Sequence, residues 1–276
     1  MAIVLALLAA LVYGSADFFG GIASRRTPAA TVVVVSQVIG LIVLAVASPF
    51  VRTEATTGDV AWGIAAGFFG AIAIAALYAA LAVGRMGVVS PITAVTGAAI
   101  PVVVGLTHGD RPSGLALAGV AIALVAVALI SGVAEARLGF LSERATLLAL
   151  TSGLAIGFLY ICLGRGGVHA ALALLAAARA TSLVILCLYL LVRREPLWPG
   201  RLALPTIALA GALDMSANVL YVFATHGAML AIVAVVTSLY PAGTVVLAQV
   251  FLKERLSGWQ WLGLALGAGS VALIGI

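Results

Sequence analysis

The sequence predicts an all-α, polytopic membrane protein with ten transmembrane helices in two inverted five-helix repeats. Three observations predict it. Of 276 residues, 64% are apolar and only 8% charged, whereas a soluble domain carries about a quarter charged residues on its hydrated surface. The apolar residues fall into runs close to the roughly 20 that cross a hydrocarbon core of about 30 Å. The second half of the chain repeats the pattern of the first.

The predicted spans are 2–23, 29–48, 60–83, 87–107, 113–132, 143–163, 168–192, 202–224, 228–251 and 258–275. Charge and turn formers separate them, as at Arg25-Arg26-Thr27-Pro28, Gly109-Asp110-Arg111-Pro112 and Lys253-Glu254-Arg255. Backbone groups in lipid must be satisfied within the segment, so each run reads as helix rather than isolated strand. A closed barrel is disfavoured because the runs are about 20 residues long, not alternating segments of about ten. Met1-Ala2-Ile3-Val4 has no basic region before the apolar run, so it reads as a retained first span rather than a cleaved signal peptide. Glycine pairs four residues apart, such as Gly63/Gly67, Gly153/Gly157 and Gly263/Gly267, suit close approach of helix backbones.

The repeat is visible residue by residue. Ser113-Gly114, Gly119 and Val127-Ala128-Leu129-Ile130 match Ser257-Gly258, Gly263 and Val271-Ala272-Leu273-Ile274 at one offset. Pro101 matches Pro241 at an offset four residues shorter, and Leu41-Ile42-Val43-Leu44 aligns with Leu183-Val184-Ile185-Leu186. The units are 1–132 and 143–276, joined by a connecting loop over 133–142. An odd number of spans turns the second copy upside down, the arrangement on which alternating-access transporters are commonly built.

The formal net charge is +5 from 14 Lys and Arg against 9 Asp and Glu. These residues form no patch, arm or motif for nucleic acid, so no nucleic-acid partner is predicted. Basic loop residues instead set topology. With the N-terminus outside, the cytoplasmic loops hold ten of them: Arg25, Arg26, Arg85, Arg137, Arg144, Arg193, Arg194, Arg201, Lys253 and Arg255. The other side holds Arg52, Arg111 and Arg165. Both termini are therefore placed outside.

The informative residues are those a bilayer should reject. Asp17 lies in helix 1, Arg179 near the middle of helix 7 and Asp214 near the middle of helix 8. A charge at the bilayer centre costs at least about 2.5–3.5 kcal/mol on insertion scales, and such residues face the bundle interior or a polar cavity. Arg179 needs an anionic partner, which is Asp17, Asp214 or the substrate; a structural ion pair that only fixes packing is the competing explanation. Tyr13 and Asp17 are one turn apart, and Asp214, Asn218 and Tyr221 share a stripe on helix 8. Aligning the halves puts Gln37 opposite Arg179, so both repeats place a hydrogen-bonding side chain at one depth.

Pro91, Pro101 and Pro241 are expected to interrupt helices 4 and 9, shaping a gate or cavity wall, since each frees a backbone carbonyl. Tyr78, Tyr160 and Tyr240 are assigned either to the cavity or to an interface. Trp62, Trp198, Trp259 and Trp261 sit near helix ends, as an aromatic belt requires. Cys162 and Cys187 lie in apolar segments without a CxxC pair or a His cluster, so no metal site is predicted.

The Pro101 and Pro241 segments, the Lys253-Glu254-Arg255-Leu256-Ser257 loop, Gly263 and the duplicated unit together resemble the EamA family of the drug/metabolite transporter superfamily. The likeness spans the chain and is strongest over 71–130 and 211–276. The first repeat departs from it with Asp110 where the family's loop acid is Glu, and reads as one turn shorter. The resemblance implies a ten-helix secondary transporter of bacterial inner membranes, often an exporter of amino acids or related metabolites. It also implies termini in the cytoplasm, against the charge count of this chain. Small multidrug exporters of the superfamily have an essential Glu in their first helix, and Asp17 is similar in kind.

The expected function is export of a small polar or zwitterionic metabolite by alternating access, with protons as the coupling partner. Arg179 would hold the carboxylate, and Asp214 or Asp17 the amino group or a proton. A multidrug or organic-cation exporter is the alternative. An intramembrane enzyme is disfavoured because Ser15 and Ser216, though near aspartates, lie in no nucleophile–base constellation. A non-transporting scaffold is the remaining class. No cofactor is needed, since no GxxxxGK[ST] phosphate loop is present. Membrane lipids are the other partner, and the sequence leaves monomer and homodimer equally open.

Overall fold

Apolar runs become helices here because a helix satisfies its backbone groups internally, whatever surrounds it. A computed structural model describes residues 1–50, 54–84, 86–130, 142–167, 169–253 and 256–274. Arg52, Arg85, Arg137, Glu254, Arg255 and the connection over 133–141 lie outside the described residues. The first half contains α1 (Ala2–Ser24), α2 (Ala29–Ala47), α3 (Thr57–Val83), α4 (Met86–Thr107) and α5 (Gly114–Ile130). The second contains α6 (Glu143–Gly164), α7 (Ala171–Arg193), α8 (Leu204–Thr225), α9 (Leu230–Thr237), α10 (Pro241–Leu252) and α11 (Gly258–Ile274).

Among the described residues, eight helical segments are long and apolar enough to cross a membrane, with Leu230–Leu252 counted as one segment across its break. α5 and α11 are apolar but shorter, at 17 residues each, or about 26 Å at 1.5 Å per residue. The polarity of the bundle is inverted relative to a soluble protein. Leu8, Ile42, Phe68, Leu154, Val184 and Phe223 are exposed, while Asp17, Gln37, Arg179 and Asp214 are buried. A water-soluble monomer does not present such an apolar outer face; a multi-pass membrane protein must.

Local signals set several helix starts. Thr56 and Asp59 form a capping box at α3, each side chain accepting from the other's backbone N–H. Ser142 Oγ accepts from Ala145 N at the start of α6. Pro241 opens α10 at the position where its missing N–H costs nothing.

The helices pair as a duplicated unit should. α1 packs along α8 and α3 along α6, while α5 pairs with its counterpart α11. Contacts repeat in detail. A Cβ on Gly119 would lie 3.0 Å from Ser270 O, and one on Gly263 would lie 2.8 Å from Ala126 O. Likewise Gly14 abuts the Tyr240 carbonyl, and a Cβ on Gly157 would lie 3.0 Å from Gly97 O. From Gly14 to Gly157 and from Gly97 to Tyr240 the separation is 143 residues in each case.

That constant separation corrects two expectations. Gly97, not Pro101, is the packing counterpart of the residue before Pro241, so the first repeat is not a turn shorter at this point. Pro91 and Pro101 also lie inside an unbroken α4. Each proline removes only one N–H, and packing along α6 keeps the rest of that helix in place. Among the described residues it is the ninth segment that breaks, through i→i−3 bonds from Leu239 N to Val236 O and Tyr240 N to Thr237 O.

Two groups of contacts define the ends of the bundle. At the end holding Met1, Asp59 Oδ1 accepts from Gly167 N at 2.8 Å and Glu54 N donates to His169 O at 3.0 Å. Asp110 Oδ2 accepts there from Ala231 N at 3.2 Å, and the Arg165 guanidinium lies 5.9 Å from the Trp62 ring centroid. At the other end Thr31 Oγ1 donates to Pro196 O and Gln260 Nε2 to Ile130 O at 2.9 Å. Every one of these contacts joins the first repeat to the second.

Candidate functional site

Inside the bundle is a cavity with about 610 Å³ of non-atom space, the open solvent at its mouth included. Its lining is of two kinds. Tyr13 and Asp17 of α1, Gln37 of α2, Arg179 and Ser182 of α7, and Asp214 and Asn218 of α8 supply polar groups. Ala66, Gly67, Gly70, Ile74 and Leu77 of α3, Leu175 and Ala178 of α7, and Ile156, Leu159 and Leu163 of α6 supply apolar surface. Tyr160 of α6 and Tyr240, at the break between α9 and α10, complete it.

The three buried charges meet at this cavity, each only 6% exposed. Arg179 Nη2 donates to Asp214 Oδ2 in an ion pair, and Arg179 Nη1 donates to Gln37 Oε1. Gln37 Nε2 passes the chain on to Ser182 Oγ at 3.0 Å. Gly40, almost one turn beyond Gln37, leaves room for the guanidinium, since a Cβ there would sit 3.3 Å from Arg179 Nε. Two of the five guanidinium donors are thus committed, and the others have no partner among the described residues.

Asp17 differs. It is buried, it lines the cavity, and it has no hydrogen-bond or ion-pair partner among the described residues. Tyr13, one turn away, likewise has a buried hydroxyl without a partner. Unpaired buried polar groups are costly and rare, and each calls for an explanation such as an absent ligand. Both stand on the cavity face of α1.

Asn218 lines the cavity while its Nδ2 donates to Asp214 O at 2.7 Å. Tyr221 does not line it, contrary to expectation. Its position one turn beyond Asn218 carries it behind Tyr160, on which it stacks with ring centroids 4.4 Å apart, and its hydroxyl donates to Tyr160 O at 3.2 Å. Pro91, Pro101 and Pro241 are buried and do not line the cavity. Ser15 and Ser216 donate to the carbonyls of Leu11 and Ala212 in their own helices, so neither is poised toward an aspartate.

Sequence reasoning missed Ser182 and the apolar lining from α3 and α6. Small and aliphatic residues look alike whether they face lipid, a neighbouring helix or a cavity. It also missed that Leu77-Tyr78 matches Leu220-Tyr221, again 143 residues apart. Tyr78 is buried with its phenol against Gly20 of α1, as Tyr221 is against α6. The repeated Leu-Tyr pair was the available signal.

Comparison with known proteins bears on what such a chamber belongs to. No curated protein matches the chain. Among 29 matching chains of solved structures, one described as "Crystal structure of protein" has a TM-score of 0.71 at 16% identity, covering 99% of this chain and 95% of that one. That likeness establishes a shared fold. The model of the EamA-like transporter family matches residues 1–132 and again 143–276. With a duplicated helical unit, an apolar exterior and a chamber holding buried polar groups between the copies, this chain belongs to the EamA-like transporter family, membrane transporters of the drug/metabolite type.

Proposed function

We propose that the chain is a ten-span secondary transporter of a bacterial inner membrane, with both termini outside, that exports a small polar or zwitterionic metabolite such as an amino acid. The observation that carries this reading is an unpartnered carboxylate, Asp17, sharing one buried chamber with Arg179. A zwitterion fits that pair. Its ammonium group docks at Asp17, and its carboxylate takes the guanidinium N–H groups that Asp214 and Gln37 leave free. Ser182, Asn218 and Tyr240 add hydrogen-bonding capacity around it.

Asp17 also suits proton coupling, because a carboxylate with no fixed partner can hold either a proton or the cargo's amino group. Exchange of the two gives antiport. The contacts at each end, which join repeat to repeat, support alternating access: breaking one set while keeping the other would expose the chamber to one side.

One observation favours a second reading, export of an organic cation. Asp214 already matches the charge of Arg179, so an ionised Asp17 leaves the chamber at net −1 beneath three tyrosine rings, and such rings attract cations. Counterflow in proteoliposomes, with and without a pH gradient, separates the readings. Under the leading reading amino acids compete for flux and Arg179→Gln abolishes it. Competition by lipophilic cations alone, with normal flux in a folded Arg179→Gln protein, overturns it for the second.

A further inference from the structure

α3 carries three glycines toward the interior, and only two have a packing reason. A Cβ on Gly63 would lie 2.6 Å from Leu174 O and 2.8 Å from Ala177 Cβ. On Gly67 it would run into the Ala178 carbonyl and lie 2.7 Å from Thr181 Cβ. Both therefore let α3 and α7 touch backbone to backbone. Gly70 is different. The nearest atom to a Cβ there is Leu159 Cδ1 at 3.7 Å, an ordinary contact, and nothing else lies within 4 Å.

Gly70 is nonetheless buried in mid-helix and lines the chamber. Glycine is the poorest helix former after proline, so a position that accepts alanine without strain gains nothing locally from it. The space that its missing side chain leaves belongs to the chamber, with Leu159 as its nearest neighbour. The same chamber is lined by Tyr13, whose hydroxyl is unpartnered and whose side chain is more than nine-tenths buried, and by Asp17, unpartnered among the described residues. The site is therefore amphipathic, with unsatisfied polar groups and unfilled room beside apolar side chains in one chamber.

We infer that Gly70 is a size-selecting position, and that the cargo joins an amino group held at Asp17 and Tyr13 to a bulky apolar group lodged over Gly70. The inference rests on the transport reading above and narrows its cargo class. A side chain at residue 70 occupies the volume the apolar group needs, while leaving the polar contacts untouched. Discrimination by a methylene in an apolar pocket amounts to roughly 10–200-fold.

The test compares proteoliposome flux of alanine, leucine and phenylalanine through the wild type, Gly70→Ala and Gly70→Leu. The expected result is a phenylalanine-to-alanine flux ratio that falls in Gly70→Ala and falls by at least about tenfold in Gly70→Leu. An unchanged ratio in folded variants overturns the inference. Gly67→Ala, which meets backbone, is the contrasting control and is expected to lose folded yield. A second measurement needs no flux: the thiol of Gly70→Cys, with Cys162 and Cys187 changed to alanine, is treated with methyl and benzyl methanethiosulfonate. Comparable modification by both upholds the room over Gly70. Reaction with the methyl reagent alone, or with neither, overturns it. A wild type that moves none of the three amino acids refutes the cargo reading, and the labelling then decides Gly70 independently.

Discussion

Arg179 donates one N–H to Gln37, the residue at the matching place in the other repeat, and another to Asp214. Equivalent residues that touch each other lie close to the axis relating the repeats, so this contact marks the centre of the bundle. The same guanidinium thus ties α2 of the first repeat to α8 of the second. Arg179 joins the two halves, and under the proposed function its remaining donors have a second role, holding the cargo.

Those roles separate by mutation. Arg179→Ala leaves Asp214 buried without its partner, and breaking a buried pair in this way costs about 3–5 kcal/mol. The expected result is a lower melting temperature in detergent and no flux. Replacing both charges, with Arg179→Met and Asp214→Leu, should recover most of the stability but none of the flux. Recovery of both would make the pair a packing device alone.

Asp17→Asn is expected to behave in the opposite way. No hydrogen bond or ion pair is lost, so the melting temperature should stay near the wild-type value. Flux driven by a pH gradient should disappear, since an amide cannot exchange a proton. Gradient-driven flux that persists in the folded variant would remove Asp17 from the coupling mechanism.

Much of this was legible in the sequence, for physical reasons that differ between residues. Lipid punishes unpaired backbone and charge so strongly that helix positions and the buried trio Asp17, Arg179 and Asp214 stood out. The equivalence of Gln37 with Arg179 also emerged by alignment. What stayed hidden depends on partners distant in sequence. Nothing in the order of residues says that Arg179 takes Asp214 rather than Asp17, or that Tyr221 stops behind Tyr160. Gly63, Gly67 and Gly70 read identically until α7 and the chamber are placed beside them. Pro101 and Pro241 misled because identity of residue type outweighed the glycine contacts that actually repeat.

Tyr13→Phe probes the unpaired hydroxyl. Burying such a group without a partner costs about 1–3 kcal/mol, so the empty protein should gain stability of the order of 1 kcal/mol. Affinity for the cargo should fall by a similar amount, which is roughly five- to tenfold. Thermal melting with and without added cargo checks both at once. A variant less stable than wild type in the absence of cargo would mean that the hydroxyl is satisfied after all.

The contact between α5 and α11 should respond symmetrically. Gly119→Val and Gly263→Val each push side-chain atoms into backbone of the facing helix, and overpacking of this kind typically costs about 1–3 kcal/mol. Equal losses of melting temperature are expected, because the two glycines make repeat-equivalent contacts. Markedly unequal losses would argue that the two sites have diverged in packing.

Orientation can be decided with the caps of the same two helices. Ser113 Oγ accepts from Ala116 N at 3.1 Å and Ser257 Oγ from Gln260 N at 3.2 Å, so the two serines start α5 and α11 in the same way. If the repeats are inverted, these equivalent residues lie on opposite faces of the membrane. Ser113→Cys and Ser257→Cys, made singly with Cys162 and Cys187 changed to alanine, should then label differently with an impermeant maleimide on intact cells. The charge distribution puts the Ser113→Cys thiol outside, labelled directly, and the Ser257→Cys thiol inside, labelled only after permeabilisation. The reverse pattern would keep the inversion but move both termini to the cytoplasm. Labelling of both from one side would refute the inversion, and with it alternating access by exchange of two mirrored halves.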